Sequence, residues 1–397
     1  MQRVWAGVDI GKTHHHAVVI DSEGKRLLSR RVANDEGALT ALFAEVTALA
    51  EEAVWAVDIM TGGAALLLAV LLDHGQQVRY ISSTMVNRAA DGYRGAGKTD
   101  AKDAAIIADQ ARMRQDLTVL RPGPELIAEL RMLVARRQDL VADRTRAVNR
   151  LRDQLLAICP ALERALEVTN KGPLILLTGY QTPAAICAVG QDRLEEWLRA
   201  AGVRRGASEL AARVFQAASS QTVTVPGEQM AALLVAQLAT ELIRLNALID
   251  DVDALIADRF GRHELAEIIV SMPGIGVLLG AEFLAATGGD MTAFASPDRL
   301  AGYAGLAPVP RDSGRISGNL HRPRRYNRAL NRVFYTSALI SVRWHSDSQA
   351  FYERKRAEGK LHTQAVLALA RRRVNVVWAL IRDRRCYEAT PPLPQAA

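Results

Sequence analysis

Residues 3–32 read RVWAGVDIGKTHHHAVVIDSEGKRLLSRRV, and this stretch decides the fold. Val4–Ile10 is an apolar run of strand character, Ala17–Ile20 is a second, and Lys25–Val32 is a third. Asp21-Ser22-Glu23-Gly24 supplies a tight turn before the third. Working outward, Leu39, Leu42, Phe43, Val46 and Leu49 recur at helical spacing. Ala53–Ile59 then reads as a strand, Ala64–His74 as a helix, Gln77–Ser82 as a strand, and Asp100 to Met113 as a helix.

Three consecutive strands followed by alternating helix and strand is the order of a ribonuclease H-like α/β domain, expected over residues 1–120. Arg121-Pro122-Gly123-Pro124 breaks the pattern. Beyond it, Leu126, Leu130, Leu133, Leu140, Val148, Leu151 and Leu155 recur at spacings near 3 and 4, with Arg137 and Arg144 interrupting the seam. A second such helix runs from about Glu228 to Phe260. The two fit either an antiparallel hairpin within one chain or a coiled-coil seam between subunits. This middle region spans 121–262 and encloses a small helical insert at 160–225. Ser271-Met272-Pro273-Gly274-Ile275-Gly276 then leads a mostly α-helical region, 263–388, with basic helices near 324–343 and 362–385. The proline-bearing tail 389–397 is expected to be disordered.

The chain has 397 residues, enough for two or three domains with real cores. Aromatics are only 5%, and Ala and Leu fill much of the apolar quota, which favours helix. No uninterrupted apolar run of eighteen residues stands out, so no membrane partner is expected. The N-terminus lacks a secretory pattern, and Cys159, Cys187 and Cys386 form neither a disulfide framework nor a zinc spacing. A reducing, cytoplasmic setting is the expectation. The net charge of +7 is unevenly spread: residues 311–397 hold 18 Lys and Arg against 6 Asp and Glu, a net of +12, while residues 1–310 carry a net of −5. Only Lys355 and Lys360 among those cations are lysines, and guanidinium forks suit phosphate. The asymmetry points to nucleic acid.

Four aspartates carry the first chemical signal. Asp9 lies in GVDIGK on the first strand, Asp58 ends the fourth among Val, Trp and Ala, and Asp100 and Asp103 share one face of a helix. Strands one and four are neighbours in a ribonuclease H-like sheet, and a late helix brings further carboxylates to their ends. Four converging acids would hold two Mg²⁺ about 4 Å apart, an arrangement suited to phosphoryl transfer. Strand-end turns plus a solvated helix face is the plainer reading of each Asp taken singly.

Residues 92–99, GYRGAGKT, match a P-loop at every fixed position. A P-loop needs a strand running straight into its glycines, however, and here a polar stretch intervenes while Asp100 and Asp103 put negative charge where phosphate would sit. Gly11-Lys12-Thr13 after Asp9 resembles the phosphate hairpin of actin-like ATPases, so an ATPase using Lys12, Thr13 and Lys98 is the runner-up. A nucleic-acid-binding protein with a degenerate carboxylate site is a third reading. His14-His15-His16 reads as a solvated strand end, since adjacent strand residues point to opposite faces. Pro273-Gly274-Ile275-Gly276 reads as a helix-hairpin-helix turn whose N–H groups, at Gly274 and Gly276, contact DNA phosphates; a purely structural connection would look the same. Finally, Asp312-Ser313-Gly314 sits in a loop rimmed by Arg311, Arg315, Arg322, Arg324, Arg325 and Arg328. Phosphate is attracted there and a developing negative charge would be stabilised, making a serine nucleophile plausible. Chemistry alone does not choose between Ser313 and Ser317.

Taken together, GVDIGK, VDIMTGG, KTDAKDA, MPGIG, AGYAGLAPVPRDSG and RPRRYNRALNR resemble the IS one-ten family of bridge-RNA-guided insertion-sequence transposases, nearly end to end. The resemblance implies a RuvC-like DEDD domain followed by a C-terminal transposase domain, with Ser313 as nucleophile and Asp9, Asp58, Asp100 and Asp103 holding Mg²⁺. It also implies donor and target DNA and a non-coding bridge RNA as partners, and a homo-oligomer, dimer or tetramer, in which one active site draws on different subunits. A bacterial, nucleoid-associated location follows. Asp58 departs from the family pattern, which has Glu there, and its shorter side chain must sit closer to the metal or reach it through water.

Overall fold

The computed structural model describes residues 3–93, 97, 99–120, 124–315, 317–321 and 323–389, so the expected disorder of the tail falls almost wholly outside the described residues. The chain divides into two compact units, Met1–Gly123 and Pro124–Ala397.

The first unit is built on strands β1 (Arg3–Asp9), β2 (His14–Ile20), β3 (Arg26–Ala33), β4 (Glu52–Val57), β5 (Gln77–Tyr80) and β6 (Thr118–Leu120). Their order across the sheet is β3-β2-β1-β4-β5-β6. β1 runs antiparallel to β2 and parallel to β4, which is parallel to β5. This mixed sheet is the RuvC-like, ribonuclease H-like α/β topology expected from the strand order. Helices α1 (Glu36–Thr47) and α2 (Ala65–Asp73) cover one face, where Leu39, Leu42, Val46, Leu67 and Leu71 meet Val4, Ala6, Val8, Trp55 and Val57. Helices α3 (Ser83–Ala90) and α4 (Asp100–Met113) cover the other, through Val86, Ile106, Ile107 and Ala108. Sequence periodicity missed α3, which is polar, and β6, which has only 3 residues.

The second unit is largely helical. Helix α5 (Glu125–Ile158) and helix α11 (Glu228–Gly261) each have 34 residues, a length of about 50 Å at 1.5 Å per residue. They pair within one chain as an antiparallel hairpin. Arg137 and Arg144, which interrupt the apolar seam, are satisfied across it: Arg137 forms an ion pair with Asp253, and Arg144 donates to Asn246 Oδ1 at 2.6 Å. An 18-residue window of α11 has a mean hydropathy of 1.5, enough by length and composition to cross a membrane, yet the helix lies along α5 and contributes to two protein cores. The distal core is completed by α6 (Pro160–Ala165), α7 (Lys171–Gly179), α8 (Pro183–Val189), α9 (Gln191–Ala200) and α10 (Ala207–Ser219).

At the other end of the hairpin, Ile127, Leu130, Ile256 and Phe260 join the core of α12 (Ala266–Ser271), α13 (Val277–Thr287), α14 (Pro297–Tyr303), α15 (Arg328–Trp344) and α17 (His362–Arg382). Helix α16 (Ser346–Ala357) lies between α15 and α17 in the chain. A two-stranded ribbon, β7 (Val309–Pro310) with β8 (Leu320–His321), carries the loop 311–319.

Candidate functional site

Alternation along the strands sorts the carboxylates. Val4, Ala6 and Val8 face α1 and α2, so Trp5, Gly7 and Asp9 face α4. In β4, Trp55 and Val57 face α1 and α2 while Ala56 faces the α3–α4 side, and one further step brings Asp58 to that side too. Val8 is in register with Val57, so Asp9 and Asp58 follow at adjacent ends of parallel strands. Helix α4 approaches unusually closely because residue 7 is glycine. A Cβ there would lie 2.2 Å from Ala104 O and 2.3 Å from Ala108 N. That approach brings Asp103, half-buried in the first turn of α4, within electrostatic reach of Asp58. Asp100 is exposed at the first position of α4, behind the Thr99 cap that accepts from Lys102 N at 3.2 Å.

Asp58 is the strained member of the set. Burial pushes its carboxyl above the usual range; hydrogen bonds from Ser83 and from the Ile10 N–H pull it back, and the Asp103 charge pushes it up again. Ser83 Oγ donates to Oδ2 at 3.1 Å, while buried Oδ1 has no hydrogen-bond partner among the described residues. Two residues that sequence reasoning missed hold the surrounding loops. Asn34 Nδ2 donates to Lys12 O at 3.3 Å and Gly63 O at 3.1 Å, tying the loop after Asp9 to the loop after Asp58. His15 is only 1% exposed, and its Nδ1 accepts from Gly11 N at 3.2 Å; burial lowers its pKa, so it is a neutral brace under that loop. His14 is exposed and His16 half-buried, with His16 Nε2 3.0 Å from Ser29 Oγ. The triplet is thus one buried support between two outward residues.

Among the described residues, no group of three or more His, Cys, Asp or Glu side chains converges as a metal-ion cluster. Asp9, Asp58 and Asp103 share one side of the sheet, and Asp100 is exposed in the same first turn of α4 as Asp103. The chemistry of the set nonetheless fits a hard divalent cation: all donors are carboxylates, and the buried Asp58 Oδ1, which has no hydrogen-bond partner among the described residues, is an acceptor that a cation would satisfy.

The second constellation lies in the C-terminal unit. Ser313 is exposed in the 311–319 loop, next to Gly314, whose φ of 54° permits the turn. Asn319 closes the loop: its N–H donates to Asp312 Oδ1 at 2.9 Å, its Nδ2 to Arg311 O at 3.3 Å, and its Oδ1 lies 2.8 Å from His321 Nε2. Ser317 is exposed in the same loop. The neighbouring RRYNRALNR stretch is anchored on its polar and aromatic residues. Asn327 caps α15 and donates to Tyr303 Oη at 3.1 Å, and Asn331 donates to Ala304 O at 2.8 Å. Tyr326 packs where any side chain on Gly305 would clash. Its arginines are left outward. Arg311, Arg315, Arg324, Arg325 and Arg328 are all exposed, and among the described residues none makes an ion pair. Arg322 lies outside the described residues.

Two motifs read differently in three dimensions. A Cβ on Gly274 would stand 2.5 Å from Ser337 O and 3.2 Å from Ser341 N, so this glycine, at φ 77°, lets the turn dock on α15. Gly276, which precedes α13, is exposed with nothing near its Cβ position and is the member of the pair open to a phosphate. In the P-loop-like stretch, α3 intervenes between β5 and Gly92, so no strand feeds the glycines. Arg94, Gly95, Ala96 and Lys98 lie outside the described residues.

Comparison with known proteins links the two constellations. A profile for DEDD transposases of the IS110 kind, described as transposase, matches residues 6–160, and one described as transposase, IS116/IS110/IS902 family, matches residues 266–353. The chain is similar to the 42 kDa protein of insertion element IS900 from Mycobacterium paratuberculosis, at 59% identity over 97% of each chain. It is 51% identical to the 44.8 kDa protein of insertion element IS116 from Streptomyces clavuligerus, over 100% of this chain and 98% of that one. Among solved structures, T. thermophilus RuvC in complex with a Holliday junction substrate aligns with a TM-score of 0.25 and 20% identity, over 30% of this chain and 99% of that chain.

Proposed function

The chain belongs to the IS116/IS110/IS902 family of insertion-sequence transposases, and on that premise we propose that it cuts and rejoins DNA through Ser313. The Ser313 hydroxyl attacks a backbone phosphorus and gives up its proton; the deoxyribose oxygen leaves and takes one up, and a phosphoserine ester remains. Attack by a deoxyribose hydroxyl of another strand reverses the step and completes the exchange. The observation that carries this reading is an exposed serine in a braced loop amid exposed guanidiniums that form no ion pairs among the described residues. Such groups would hold the phosphate and stabilise the charge that develops on its oxygens.

Asp9, Asp58, Asp100 and Asp103 would hold Mg²⁺, which polarises the scissile phosphate and stabilises the leaving oxygen when bound. The protein's own part is to keep the Asp9 and Asp58 loops in place through Asn34 and His15 and to bring α4 close through Gly7. Donor and target DNA would be selected by a non-coding bridge RNA, and the enzyme would work as a dimer or tetramer at the bacterial nucleoid in the cytoplasm. Support for self-association is the apolar surface at the start of α11, where Met230, Leu233 and Leu234 are 63%, 58% and 41% exposed.

Trapping on a suicide DNA substrate tests the assignment. Wild type and Ser317→Ala are expected to form a covalent protein–DNA adduct, and Ser313→Ala none. An undiminished adduct from Ser313→Ala would refute the nucleophile. ATP turnover without nucleic acid, lost in Lys98→Ala, would favour an ATPase instead, although the interrupted strand-to-loop connection speaks against it.

A further inference from the structure

We propose that a small cavity between α16, α17 and the segment bearing Tyr387 holds a phosphate group of a nucleic-acid strand, a site separate from the serine loop. The cavity measures about 140 Å³ and is lined by Arg372, Arg373, His345, Ser348 and Tyr387, among others. That is well below the roughly 300 Å³ of pockets that enclose drug-sized ligands, but it suits a single tetrahedral anion.

Arg373 decides the chemistry. It is 4% exposed, its Nε donates to Ser337 Oγ at 2.9 Å, and its guanidinium also donates to the Pro273 carbonyl. Among the described residues no carboxylate pairs with it. Burial draws its pKa down to about 10, which leaves the charge in place at neutral pH. Its hydrogen-bond acceptors are neutral, and the one carboxylate on the cavity wall, Asp347, is exposed; a buried charge so placed is costly, and an anion is its natural complement.

The remaining walls supply donors. Ser348 N donates to His345 Nδ1 at 3.3 Å, so in the neutral ring the proton sits on Nε2, which lies 3.0 Å from Tyr387 Oη. With that bond made, the Tyr387 hydroxyl proton is left to donate elsewhere. Residues of the first turn of α16 line the same space, adding the favourable end of a helix dipole. Asp347 also lines the cavity, is exposed, and among the described residues forms no ion pair with either arginine. Outside, Arg354, Lys355 and Arg372 gather around the Phe351 ring at 5.1, 5.7 and 5.3 Å. Arg354 and Lys355 share Glu358, whereas Arg372 has no carboxylate partner among the described residues. This cationic, aromatic rim favours a strand phosphate over an acidic peptide.

The proposal does not depend on the serine chemistry, so its test reads binding alone. The full chain is melted in inorganic phosphate and in chloride of matched ionic strength, with and without a short single-stranded oligonucleotide. Phosphate is expected to raise the Tm saturably, chloride is not, and saturating oligonucleotide is expected to abolish the phosphate effect. In Arg372→Gln, which spares the bonds of Arg373 to Ser337 and Pro273, half-saturation by phosphate should need about tenfold more anion. The slope of log affinity for the oligonucleotide against log salt should also fall by about one. A phosphate effect no larger than chloride's, an unchanged Arg372→Gln, or additive stabilisation by phosphate and oligonucleotide would each overturn the proposal. So would an acidic peptide that competes with phosphate where the oligonucleotide does not.

Discussion

Replacing Gly7 by alanine adds one methyl group where α4 crosses β1, and the geometry sets the size of the response. The new Cβ would lie 2.2 Å from Ala104 O and 2.3 Å from Ala108 N, both backbone atoms that no rotamer change can move aside. Reaching ordinary contact requires the helix to retreat by about 1.2 Å or more. Overpacking of this kind costs about 1–3 kcal/mol, which lowers the Tm of a unit of this size by roughly 4 °C per kcal/mol. Asp103 rides on the displaced turn, and a misplacement of about 1 Å in a catalytic group costs on the order of 100-fold in rate. The expected outcome is a folded but less stable protein whose Mg²⁺-dependent strand cleavage falls by about two orders of magnitude. DNA affinity measured in EDTA should stay unchanged. Gly37→Ala is the control, because the nearest atom to a Cβ there is the Asp35 carboxylate at an ordinary contact distance of 3.7 Å. Cleavage and melting of Gly7→Ala indistinguishable from wild type would refute the argument that close helix approach assembles the carboxylates.

The raised pKa of Asp58 makes a pH prediction with a definite sign. Its folded-state pKa lies above the unfolded value, so its contribution is fully present below the ordinary carboxylate range and is lost as pH rises through the raised pKa. In EDTA at neutral pH, Asp58→Asn should therefore melt higher than wild type, with the two converging in acid, and Mg²⁺ should raise wild type more than the variant; a lower-melting Asn variant would contradict the burial argument. For the exposed start of α11, Leu233→Glu combined with Leu234→Lys should reduce the mass measured by light scattering without altering helicity by circular dichroism. An unchanged mass would move the subunit interface elsewhere.

The sheet was legible in residues 3–32 because two-residue alternation and a turn leave few arrangements for three sequential strands. The hairpin was legible as two helices, but their pairing was not. Only the partners on the facing helix, Asp253 and Asn246, explain why Arg137 and Arg144 interrupt an apolar seam. Helix α16 escaped because its sequence, SDSQAFYERKRA, offers no apolar stripe; its side of the fold rests on Phe351 and the buried Ser348. At the candidate carboxylate site, the four aspartates could be named from sequence, whereas the residues that brace their loops could not. Nothing local marks His15 as buried beside two outward histidines, and Asn34 looks like any residue after a strand. The one available signal was parity, since His15 shares its face of β2 with Ala17 and Val19. The glycines of PGIG are the instructive case, because a motif match weighs them equally whereas the fold gives Gly274 to packing and leaves Gly276 exposed.

The uneven charge along the chain now has a physical consequence. If the arginines around Ser313 had acidic neighbours, ion pairs would satisfy both, and an incoming phosphate would first have to break them. Elsewhere the protein forms such pairs freely: Arg332 forks onto Glu282, and Arg259 takes Glu129. Among the described residues the arginines around the serine form none, Asp312 being taken up by the Asn319 N–H, and the acidic excess lies in residues 1–310. Asp58 mirrors this: its buried Oδ1 has no hydrogen-bond donor among the described residues, and burial raises its pKa. A cation supplied by a neighbouring arginine would have lowered that pKa and occupied the oxygen. On the proposed function, each constellation would keep the complement of a different ligand, phosphate in one and a hard cation in the other. The basic excess of residues 311–397 therefore lies around the serine and not around the carboxylates, which belong to the Met1–Gly123 unit.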